Sequence, residues 1–185
     1  SSEKMIEMLK KTYFYWKYNL KSINAFIYKE NINNLLLKSE FDFDLGLLSI
    51  DIDGNDFWIW EEINCINPRL VVIEYNSFFG SERSCTIPYN PKFIWDYEKK
   101  RSYYGASLKA LEKLGRKKKY TLVGVDKNGV NAFFVRNDLA KNINLKSKKS
   151  EDVFIDNKRE IRNMVDYTIW QKRVLNNKLG DLIKI

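Results

Sequence analysis

The stretch Leu48-Ser-Ile-Asp-Ile-Asp-Gly-Asn-Asp56 carries the residues best suited to chemistry. An apolar run ends there in Asp51 and Asp53, and Gly54 and Asn55 follow. Side chains two apart on a strand project to the same face, so the two carboxylates are expected together at the strand's end. Glu74-Tyr-Asn-Ser77 closes a second apolar run, and Glu74 and Asn76 share a face by the same rule. In open α/β sheets ligands bind beyond the carboxyl ends of the strands, where all four side chains fall. Oxygen donors of this kind suit Mg²⁺ or Mn²⁺, with Asp53, Glu74 and Asn76 as candidate ligands. Without a metal, Glu74 or Asp51 can take a hydroxyl proton as a general base. Plainer readings stand beside these: Asp53 caps a helix, Asp51 bonds a loop, and Glu74 is a hydrogen-bonded strand end.

Two further stretches are candidates. Tyr103-Tyr-Gly-Ala-Ser107 opens a helix, whose first N–H groups favour an anion such as a carboxylate or phosphate. Tyr104 and Ser107 are the substrate-side candidates here, and Ser107 serves equally well as a plain N-cap. Arg116-Lys-Lys-Lys119 follows Gly115, where cations offset a helix dipole. With Lys146, Lys148 and Lys149 it reads as a solvated face. Nucleic-acid binding would rest on charge alone.

Composition narrows the chemistry. The 185 residues contain no histidine, which excludes Ser-His and Cys-His catalysis and imidazole-ligated zinc. Cys65 and Cys85 lack metal-ligand spacing and read as reduced thiols of a cytoplasmic protein. No apolar run approaches the roughly 20 residues that span a bilayer, and no signal peptide opens the sequence, so no membrane insertion is expected. A net charge of +8 favours anionic partners without choosing among them.

These residues need a scaffold, and the sequence suggests an alternating one. Glu3 to Leu20 is expected as a helix, Ile23 to Tyr28 as a strand and Glu30 to Lys38 as a short helix. Gly46 to Asp51 reads as a buried strand, Asn55 to Ile63 as a helix capped by Asp53 or Asn55, and Leu70 to Tyr75 as a second buried strand. Asn76 to Tyr104 is a long aromatic connection of the kind that forms binding loops. Ser107 to Leu114 is a helix stopped by Gly115. Tyr120 to Val125 and Asn131 to Arg136 flank Asp126-Lys-Asn-Gly129, a hairpin signal. A helix is expected from Lys158 to Leu175. The fold class is therefore α/β, with a domain over residues 1–138 and a basic tail over 139–185.

Six stretches in order carry a resemblance: Lys29–Asn33, Leu47–Asp56, Pro68–Asn76, Thr86–Tyr89, Tyr104–Leu108 and Gly129–Arg136. Together they resemble the FkbM-like class I SAM-dependent methyltransferases, many of which act on sugars or other hydroxylated metabolites. The resemblance implies a Rossmann-like, mainly parallel sheet that ends in an antiparallel hairpin. It also implies S-adenosylmethionine as cofactor, beside Asp51, Asp53 and Asn55. Glu74 and Asn76 would face the acceptor, under a roof of Phe78, Phe79, Tyr89, Trp95 and Tyr103. No G-x-G cluster occurs in the sequence, so the family's first two strands and glycine loop are expected to be absent from it. The implied function is O-methyl transfer to a small hydroxylated or carbohydrate-type acceptor, aided by a carboxylate base or Mg²⁺. The alternatives are a non-catalytic remnant that binds a partner or forms a homo-oligomer, and a nucleic-acid binder.

Overall fold

The structure is a computed structural model that describes residues 3–18, 20–95, 102–157 and 181–185. Two short helices come first, α1 (Glu3–Lys10) and α2 (Tyr13–Lys17), followed by α3 (Lys29–Lys38). Next are β1 (Leu47–Ile50), α4 (Asp56–Glu62) and β2 (Leu70–Glu74). A single 3₁₀ turn, Ser77–Phe79, leads through a loop to the two-residue strand β3 (Cys85–Thr86). The helix α5 (Leu108–Lys117) precedes β4 (Tyr120–Val125) and β5 (Asn131–Arg136). Two short helices, α6 (Asn137–Asn142) and α7 (Ser150–Val153), and the strand β6 (Ile183–Lys184) complete the described elements. The helix expected over Lys158 to Leu175 lies outside the described residues.

This is a mixed α/β protein, and its sheet is not mainly parallel. The strand order is β1-β2-β5-β4, with β1 and β2 parallel and the two pairings made by β5 antiparallel. The hairpin explains the departure. The turn at Asp126–Gly129 sends β5 back beside β4, and β5 inserts between β4 and β2 instead of adding outside them. Asp126 shapes that turn by accepting the N–H groups of Asn128, at 2.8 Å, and Asn131, at 2.9 Å.

The helices α4 and α5 cover one sheet face because their apolar residues recur at helical spacing. Phe57, Ile59 and Trp60 of α4 meet Leu108, Leu111 and Leu114 of α5 over Val71, Ile73, Leu122 and Phe134. Trp60 lies 4.8 Å from Phe134, centroid to centroid, and both are almost fully buried. Truncating either to alanine should cost about 3–5 kcal/mol. Ser107 caps α5, its hydroxyl oxygen accepting the Ala110 N–H at 3.1 Å.

Three element expectations need correction. Residues 23–28 form neither helix nor strand. Asn31 instead ties them to the start of α3, accepting the Tyr28 N–H at 3.0 Å and donating to the Phe26 carbonyl at 2.7 Å. The single helix expected over Glu3 to Leu20 divides at Lys11 and Thr12. Gly115 does not end α5: it sits inside the helix, where a Cβ would come within 2.8 Å of the Phe134 ring. Lys119 makes the reversal in its place, at φ 66°. Among the described residues no helix is long and apolar enough to cross a membrane.

Candidate functional site

Parallel register brings the first two acids together. Ile50 of β1 lies opposite Ile73 of β2, so the next residues, Asp51 and Glu74, leave neighbouring strands at the same end. Asp53 returns to them through a turn in which its own backbone is left-handed, at φ 56°. A carboxylate oxygen from each of Asp51, Asp53 and Glu74 then lies within 4.8 Å of the other two. Asp51 and Asp53 are exposed and Glu74 is half-buried. Because β1 ends at Ile50, strand alternation does not align Asp51 with Asp53; the left-handed turn does. Partial desolvation at the turn pushes the Asp53 carboxyl up from its ordinary range, and the charge of Asp51 acts in the same direction. Three acids crowded at one strand end favour a cation among them, and their donors are all hard oxygens.

The turn itself is held by a residue that was not singled out from sequence. Asp56 is buried at the start of α4, and its carboxylate accepts the N–H groups of Ile52 and Gly54. Burial raises its pKa, and those backbone donors partly offset the rise. Its signal in the sequence was its place as the last acid of Asp51-Ile-Asp-Gly-Asn-Asp56, a spacing that lets a side chain fold back over the turn. Gly54 admits the Phe93 ring, which a Cβ would approach to 2.3 Å.

The other candidates are placed nearby but committed to structure. Asn55 occupies the N-cap position of α4, yet its side chain makes no cap bond. It is buried and donates to the Asn90 carbonyl at 2.8 Å, bracing the loop. Asn76 is fully buried, with its amide donating to the carbonyls of Ser102 and Tyr104, both at 2.8 Å, and its oxygen accepting the Phe78 N–H. Ser107 is also fully buried; its hydroxyl oxygen accepts the N–H groups of Cys85 and Ala110. The Tyr104 ring packs 5.3 Å from that of Trp95.

The expected aromatic roof is partly a small core of its own. Phe79, Cys85 and Ile87 are buried together, with Phe93 and Tyr103 packed against them. Tyr89 points to α3, where its hydroxyl accepts the Lys29 N–H at 3.0 Å and donates to Glu30 at 2.8 Å. Comparison with known families, with curated proteins and with solved structures finds no match. Fold and site together define a mixed α/β protein with a carboxylate cluster beyond two parallel strand ends.

Proposed function

We propose that this domain serves an O-methyltransferase that uses S-adenosylmethionine and a small, hydroxylated or carbohydrate-type acceptor. The observation that carries the reading is the convergence of Asp51, Asp53 and Glu74 where α/β sheets bind ligands. The six stretches that resemble FkbM-like enzymes, and a hairpin whose β4 strand stands at the sheet edge, support a Rossmann-like arrangement. Asp51 and Asp53 would accept hydrogen bonds from the cofactor's hydroxyls or ammonium group. Bound there, the sulfonium cofactor supplies an electrophilic methyl group. Glu74 would act as the general base that takes the acceptor's hydroxyl proton during methyl transfer. The main contribution of the site would be to hold the acceptor in place for the transfer. The three carboxylates also fit Mg²⁺, which would polarise the acceptor oxygen.

Calorimetric titration of S-adenosylhomocysteine into the chain, with and without Mg²⁺, tests the reading. Micromolar binding that Asp51→Ala abolishes without unfolding the chain is the expected result. Binding that survives Asp51→Ala would place the cofactor elsewhere. The second reading, a binding or oligomerisation module, is favoured by one observation: Met5, Met8, Phe14, Trp16 and Tyr18 are each at least 60% exposed. A molar mass that rises with concentration, and no cofactor binding, would select it.

A further inference from the structure

The two turns that carry the acids hang from one short segment, Gly105–Ala106. The Gly105 N–H donates to the carbonyl of Gly54, next to Asp53, at 3.1 Å. The Asn76 N–H, two residues beyond Glu74, donates to the carbonyl of Ala106 at 2.8 Å. Gly105 itself has a left-handed backbone, φ 58°, and owes its position to its bonding partners.

Those partners belong to β3. Thr86 and Ala106 form an antiparallel bridge, and the Ile87 N–H and the Thr86 hydroxyl both donate to the Gly105 carbonyl at 3.1 Å. The Ser107 N–H donates to the Cys85 carbonyl at 2.8 Å. On its other side β3 pairs with β6, Cys85 opposite Lys184 and Thr86 opposite Ile183. Further bonds fix β6 there: the Ile185 N–H to the Ser84 carbonyl and the Tyr103 hydroxyl to the Asp181 carbonyl, each at 2.9 Å. Leu182 packs on the cluster of Phe79, Cys85 and Ile87. An unbroken run of backbone contacts thus leads from β6 through β3 and Gly105–Ala106 to both acid-bearing turns.

We propose that β6 is a latch that positions the carboxylate site. A two-residue strand on a two-stranded sheet, exposed itself and, among the described residues, joined to the main core only through Ile185 beside it, opens at a lower free energy than the core sheet. Opening it removes the outer support of β3 and lets Gly105–Ala106 shift, so Asp53 and Glu74 separate. A ligand held by the carboxylates favours the latched form, and by reciprocity the latch strengthens that ligand's binding. The ligand-linked part rests on the proposed function; the mechanical part does not.

Amide hydrogen exchange on the full chain, on a variant lacking residues 181–185 and on Ile183→Pro tests the latch without any ligand. Proline cannot donate to a strand ladder, so Ile183→Pro opposes the pairing. The amides of Ile87, Gly105 and Asn76 should exchange about tenfold faster or more in both variants, while those of β2 and α5 keep their rates in Ile183→Pro, which retains the Ile185 contacts with the core and with Lys113. Ile183→Val should restore slow exchange. Acceleration that stops at β3 would overturn the proposal. So would equal acceleration throughout β2 and α5 in Ile183→Pro, which would make β6 part of the global fold. Mn²⁺ titrated into the full chain should bind more weakly by about tenfold in the shortened variant. Absence of Mn²⁺ binding in the full chain would count against the carboxylate site as a metal site, and the exchange result would still decide the latch.

Discussion

The Asp56 carboxylate accepts the Gly54 N–H at 2.9 Å, and its other oxygen holds Ile52, so one buried side chain spans the turn between β1 and α4. Asp51 and Asp53 lie on that turn. Their geometry therefore depends on a buried acid that is not itself one of the three.

Asp56→Ala should leave both N–H groups without their acceptor, and a lost bond to a charged group costs about 1.5–3 kcal/mol. Urea unfolding should show a loss of about 3 kcal/mol. Asp56→Asn, which keeps one acceptor oxygen, should lose less. An unchanged unfolding midpoint in Asp56→Ala would show that the turn does not need this carboxylate.

Asp53 adopts a left-handed backbone, and its charge is disfavoured first by desolvation and then by Asp51, so it carries backbone strain and an unfavourable charge together. Asp53→Gly should relieve both and raise stability by about 1 kcal/mol at neutral pH. The folded pKa is raised, so the charged form is the unfavourable one. In acid only the strain-linked part of the gain should remain, and the gain should grow as pH rises past the carboxylate range. The same variant should bind Mg²⁺ or Mn²⁺ less well by calorimetry. A thermal melt in which Asp53→Gly is destabilised would contradict the strain.

Gly115→Ala sets two effects against each other. Alanine gains about 1 kcal/mol of helix propensity over glycine. Its Cβ would press on the buried ring of Phe134 at 2.8 Å and on Trp60 at 3.2 Å, and overpacking a core costs about 1–3 kcal/mol. The rings have little room to move, so a net destabilisation of about 1 kcal/mol is expected in urea unfolding. A stabilised variant would show that the core yields there.

Asp44 joins two arginines that are distant in sequence. Its carboxylate accepts from Arg69 at 2.6 Å and from Arg136 at 2.7 Å, and these guanidinium groups hold its pKa down to about 2. A lowered pKa means that the stabilisation is present above the ordinary carboxylate range and is lost as pH falls toward 2. The melting temperature of Asp44→Asn should lie below that of the unchanged chain at neutral pH. The gap should narrow steadily below about pH 4. Because the site is exposed, the gap should also shrink in high salt.

Local signals in the sequence carried much of the fold. The apolar run Leu70–Glu74 and the hairpin strands Tyr120–Val125 and Asn131–Arg136 were legible because burial and turn chemistry agree there. Ser107 as a cap was legible for the same reason. The insertion of β5 between β2 and β4 was not, since strand order is fixed by long-range packing and leaves no local pattern. Residues 23–28 look like a strand by residue type, but the bonds of Asn31 hold them to α3 rather than to the sheet. At the site, the acids were visible by type and their meeting followed from parallel register. The left-handed turn at Asp53 was not visible, nor the commitment of Asn55, Asn76 and Ser107 to backbone partners.

The β4–β5 hairpin closes over a turn of a few residues, whereas the contact between Tyr103 and Asp181 on the approach to β6 closes a segment of 78. Loop closure of that length carries a larger entropic cost, and contacts distant in sequence form slowly. The hairpin and α5 should therefore assemble early in refolding and β6 should dock late. Stopped-flow refolding of a variant that keeps Trp60 as its single tryptophan should then show the fluorescence change before protection of the Gly105 amide. The acids would reach their final geometry in the slowest step, so maturation of the site is set by folding kinetics and not by the site's own residues.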